Sequence, residues 1–79
     1  MQVRIVARRF EKPDLRLFDT DIEALPRIGE GLMLTIAGRM EAEVFRVVDV
    51  VWKPVNSYTY QPVVYVKAPE GVDDIPDPG

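Results

Sequence analysis

The chain has 79 residues, with 10 Lys and Arg against 13 Asp and Glu and no His or Cys. That composition excludes disulfide staples, a conventional Cys/His zinc site and a His-activated nucleophile. Hydrophobic residues make up 47%, which marks a packed domain rather than a disordered chain.

Gln2 to Phe10 alternates, with Val3, Ile5 and Ala7 on one face and Gln2, Arg4, Val6 and Arg8 on the other, the period of two of a strand. Pro13-Asp14 signals a turn. Leu15 to Asp19 follows as a short strand, with Leu15 and Leu17 on one face and Arg16 and Phe18 on the other. Asp19 to Leu25 has two readings. Asp19 caps a single helical turn with Glu23 within reach, or the strand continues and Ile22 packs inward. Leu25 to Gly31 breaks any helix, because Pro26 biases Leu25 toward extended conformations and Gly29 and Gly31 tolerate positive φ.

Leu32 to Ile36 reads as a strand and Ala37 to Met40 as a hairpin connection. The longest strand spans Glu41 to Lys53, apolar on both faces, as in a strand that bends between two sheets so that its faces exchange roles partway. Pro54 to Ser57 is a hairpin turn, and Tyr58 to Lys67 returns, with Pro62 requiring a local edge or a bulge. These elements predict an all-β domain over residues 1–69, a small antiparallel, five-stranded, partly open barrel with at most a minor helical turn. Residues 70–79 form an acidic, Pro-rich tail expected to be flexible.

The net charge of −3 belongs to that tail. Glu70, Asp73, Asp74 and Asp77 account for four of the 13 acids, so residues 1–69 carry 10 bases against 9 acids, a net of +1. A near-neutral body makes nucleic acid an improbable general partner. No apolar run approaches the ~20 residues of a membrane span. The start of the chain lacks the basic and apolar regions of a signal peptide, so a cytoplasmic location without a membrane partner is the expectation.

Candidate chemistry is sparse. Ser57 is the only serine and has no His to activate it, and Lys12, Lys53 and Lys67 lack any local cause for a depressed pKa. Asp19, Asp21 and Glu23 share a face if extended, but they lack the Gly and distal Glu of a calcium loop. Gly29-Glu30-Gly31 lacks the remaining residues of a phosphate loop. The expectation is a protein that is not an enzyme, with no catalytic residue, metal or cofactor. The informative constellation is Arg8, Arg9, Arg27, Trp52, Tyr58 and Tyr60, the residue types of interface hot spots and of base stacking. Tyr58 and Tyr60 lie near a turn and are the better surface candidates; Trp52 either closes the core or joins a binding patch.

Leu25-Pro26-Arg27-Ile28-Gly29-Glu30-Gly31-Leu32, with Phe45 to Trp52 and Val63-Val64-Tyr65-Val66, resembles a type of short bacterial and phage protein. Its Leu-Pro-Arg-aliphatic-Gly-acid turn is similar to turns that open strands in Src-homology-3-like barrels. The resemblance implies a barrel of that kind and no activity.

The leading expectation is therefore a non-enzymatic binding module, a bacterial or phage accessory or inhibitor protein that acts through protein contacts and forms homo-oligomers. The alternative is a small nucleotide- or RNA-binding barrel that uses Arg and Tyr. Removing residues 72–79 is expected to change stability by less than ~1 kcal/mol, measured by thermal melting, because Val72 and Ile75 are the segment's only sizeable apolar residues.

Overall fold

Val, with Ile5, supplies most of the apolar residues in three of the five paired segments, 2–9, 43–54 and 60–67, because branched side chains pack well on a pleated surface. The computed structural model describes residues 1–9, 11–35 and 41–68. Five strands are present: β1 (Gln2–Arg9), β2 (Lys12–Asp21), β3 (Gly31–Leu34), β4 (Glu43–Pro54) and β5 (Tyr60–Lys67). They form one sheet in the order β2-β1-β5-β4-β3, curled into a half-barrel. No helix long and apolar enough to cross a membrane occurs among the described residues.

The sheet is mixed, which corrects the antiparallel expectation. β1 and β5 run parallel, from Arg4 opposite Val63 to Arg8 opposite Lys67, and the other neighbours are antiparallel. Tight turns join antiparallel neighbours and leave a local signature, whereas a parallel pair needs a long crossover. Here the whole of β2, β3 and β4 is that crossover, so no short stretch of sequence reports it. Burial does. Pro62 to Val66 are buried without interruption, as are Ile5, Val6 and Ala7, the pattern of central strands covered on both faces. Pro62 stands one residue before the parallel register begins at Val63, so its missing N–H falls where β5 has no β1 partner.

The main core lies on the concave face and contains Val3, Ile5, Ala7, Phe45, Val47, Val64 and Val66. A smaller cluster of Val6, Val63 and Tyr65 lies on the outer face. Two bulges decide which residues reach the core. Ile5 pairs with Phe18 but Val6 with Arg16, so Leu17 is an extra residue in β2. Leu15, Leu17 and Phe18 all pack on the core as a result, which corrects the expected opposition of Leu17 and Phe18. In β4, Val47 pairs with Val66 and Asp49 with Tyr65, which leaves Val48 extra. Phe45 and Val47 meet the core before this bulge and Val50 after it. The expected exchange of faces thus occurs, within one sheet rather than between two.

β4 is the longest strand, at 12 residues. Asp19, Thr20 and Asp21 are extended within β2, so the helical-turn alternative does not form. The chain then crosses from one sheet edge to the other, with Ile22 and Leu25 packed on the core. The crossing ends in a turn closed by the Glu30 N–H donating to the Arg27 carbonyl at 3.0 Å. Gly29 has φ 95° there, which an L side chain resists. Backbone bonds between Gly29 and Val47 at 2.8 Å and between Val47 and Glu30 at 2.9 Å pin the turn to β4. The connection expected at Ala37–Met40 and the tail at 70–79 lie outside the described residues.

Phe45 is fully buried and Val44, its neighbour, is 45% exposed. Phe45→Ala is expected to cost about 3–5 kcal/mol in urea unfolding, from lost burial and the cavity left behind. Val44→Ala is expected to stay within about 0.5 kcal/mol.

Candidate protein-interaction surface

The aromatic candidates are placed by the unequal lengths of two ladders. β1 meets β5 from Val63 onward. β4 and β5 stay paired past that point, through Trp52–Pro62, Lys53–Gln61 and Pro54–Tyr60. The hairpin end therefore extends past the last β1–β5 pair, and Trp52 lies in that extension. It is 52% exposed, Tyr60 60%, Val55 61% and Tyr58 95%. Trp52 stands opposite Pro62, so Trp52 and Tyr60 share the face that carries the core further along the sheet.

A small set of bonds organises the tip. The Asn56 Oδ1 accepts from the Tyr58 N–H at 2.9 Å and the Thr59 N–H at 3.0 Å. The Val55 N–H donates to the Thr59 carbonyl at 2.8 Å. Asn side chains hold turns in this way by imitating a backbone carbonyl. Strand pairing continues to Pro54, so the loop is Val55–Thr59, longer and later than the expected Pro54–Ser57.

The three arginines are not gathered at this end. Arg9 Nε donates to the Pro13 carbonyl at 2.9 Å, in the hairpin between β1 and β2 at the opposite end of the sheet. Arg27 lies in the turn pinned to β4 at Val47. Arg8 is on the outer face, its guanidinium 4.6 Å from the centre of the Tyr65 ring and its Nη2 3.4 Å from Asp49. The structure unites Trp52, Tyr58 and Tyr60 and separates them from Arg8, Arg9 and Arg27.

A second concavity was invisible to linear reading. β2 and β3 are the two edges of the half-barrel, and between them lies a cleft of about 720 Å³. Ile5, Phe18, Leu25, Leu32 and Leu34 supply its apolar lining, and Arg27 and Glu30 also border it. Its two walls come from strands that never pair, so no periodicity connects them.

The acidic run has a structural use. Arg4 Nε donates to Asp19 Oδ1 at 3.1 Å and Arg16 Nη2 to Asp19 Oδ2 at 2.8 Å. The hydrogen bond from Arg4 is the main influence that holds the Asp19 carboxyl below its ordinary range; desolvation opposes it, and the nearby charges of Arg16 and Arg4 add to it. Among the described residues, no three acidic, His or Cys side chains come together as a cation site.

In comparisons with known proteins, no family model matches the chain, and no curated protein or solved structure matches it.

Because the folded carboxyl titrates lower than the unfolded one, Asp19 contributes stability above the unfolded pKa and loses it as pH falls through the folded value. Asp19→Asn is therefore expected to flatten the loss of stability below about pH 4, measured as melting temperature against pH.

Proposed function

We propose that this protein is a non-enzymatic binding module that contacts protein partners, including a second copy of itself, through the extended end of the β4–β5 hairpin. The observation that supports this most is the exposure of Trp52, Val55, Tyr58 and Tyr60 on one ordered hairpin end. Aromatic side chains offer large contact area at low conformational cost and dominate interface hot spots. Isolated exposed apolar residues are ordinary, but a contiguous group is characteristic of interaction sites. The main core is small, so burying that end in an assembly adds stability that one chain lacks.

The nucleotide- or RNA-binding reading is the weaker one. Base stacking on a basic surface needs aromatics interleaved with cations. Here Trp52 and Tyr60 occupy one face, while Arg8 covers Tyr65 on the other. The likeness to Src-homology-3-like barrels, carried by the Pro26-to-Glu30 turn, enters as a fold-level analogy only.

Sedimentation velocity is expected to show a dimer or larger closed assembly at micromolar concentration, with Tyr60→Ala and Trp52→Ala shifting it toward the 9.0 kDa monomer. Truncating a central aromatic typically costs about 2 kcal/mol or more of binding. Tyr58→Ala and Tyr60→Ala are expected to melt within a few degrees of the parent, since both side chains are mostly exposed. A single monomeric species over the whole range removes self-association. Unchanged capture of a partner by both folded Tyr variants removes the hairpin as the contact surface.

A further inference from the structure

Three cations stand side by side on the outer face. Arg8 in β1 is opposite Lys67 in β5, and Lys67 is opposite Arg46 in β4. Adjacent strands lie about 4.8 Å apart, so the row crosses three strands within roughly 10 Å at the backbone. All three side chains are exposed. Like charges directly opposite one another destabilise a sheet, so this row opposes folding and is not explained by it.

The neighbouring groups neutralise it only in part, through the Arg8–Asp49 ion pair. Asp49 Oδ2 lies 3.4 Å from Arg8 Nη2, and its other oxygen accepts the Val50 N–H at 2.9 Å. Arg46 Nη1 donates to the neutral Gly29 carbonyl at 2.9 Å. That reach crosses Gly31, which faces Arg46 in β3 and where a Cβ would stand 2.7 Å from Val44 Cγ1. Lys67 has no ion-pair partner among the described residues. Lys53 adds a further cation, 5.3 Å from the centre of the Tyr65 ring.

We propose that the row Arg8–Lys67–Arg46 is a second docking surface, and that its partner is an acidic, aliphatic polypeptide segment. Two features select a peptide over a nucleic acid. Tyr65, the aromatic on this face among the described residues, is only 7% exposed beneath Arg8 and Lys53, so no base can stack on it. The pair Met33–Val44 lies on the same face beside Arg46, at 73% and 45% exposure, and fits aliphatic side chains. The guanidinium groups of Arg8 and Arg46 point to different neighbours, so the row suits charges spread along a segment rather than one compact anion. The surface is separate from the hairpin end and does not depend on it.

The test uses the full chain and two fluorescent probes at low and moderate salt, a short peptide of alternating Glu and Leu and an oligothymidylate. Anisotropy is expected to show the peptide bound more tightly than the oligonucleotide, and released by salt. Lys67→Glu is expected to weaken peptide binding about tenfold or more, while Arg27→Glu, an equal charge change elsewhere, alters it less than about twofold. Lys67→Glu also places an acid between Arg8 and Arg46, so its melting temperature is expected to equal or exceed the parent's. Lys67→Gln, which removes the charge without reversing it, is expected to give an intermediate loss of binding. No peptide binding at low salt, equal losses from Lys67→Glu and Arg27→Glu, or tighter binding of the oligonucleotide would each overturn the proposal.

Discussion

The parallel pairing of β1 with β5 is the constraint on which the rest of the molecule depends. It joins strands from the two ends of the described chain and places them at the centre of the sheet. Both must then be apolar on two faces, which the consecutive burial of Ile5–Ala7 and Pro62–Val66 satisfies. It also sends β2 and β3 to opposite edges, so the segment after β2 must cross the concave face to begin β3. That crossing covers part of the core with Ile22 and Leu25 and leaves the remainder as the open cleft.

Ladder length then sets exposure. β4 and β5 pair beyond the point where β1 begins to pair with β5, and that end carries Trp52 and Tyr60. A tryptophan at that position packed inside the sheet would be a core residue. Past the last β1–β5 pair it is half-exposed.

The bulges at Leu17 and Val48 have a comparable effect on charge. Each shifts the alternation of its strand by one residue. Leu17 and Phe18 can then both reach the core, while Arg16 and Asp19 stay with Arg4 on the outer face. Beyond Val48, Val50 turns inward and Asp49 outward, where it meets Arg8. Trp52 and Tyr60 end on one face of the sheet, and Arg8, Lys67 and Arg46 on the other.

Local residue pattern alone establishes that this chain forms strands, roughly where they lie, and that β4 is longest and changes face. It also determined that Gly29 supplies a turn and that the Tyr58–Tyr60 region is exposed. These features rest on period-two alternation, proline and glycine geometry, and turn residues such as Asn56, all of which act within a few positions. Long-range pairing sets the rest: β1 and β5 run parallel, Phe18 joins Leu17 in the core, and Arg8 and Arg9 stand apart from Trp52. It alone aligned Arg8, Lys67 and Arg46, residues from three strands, in one row. Those outcomes depend on register between segments distant in sequence, and a single inserted residue reverses every later side chain, so no local pattern contains them.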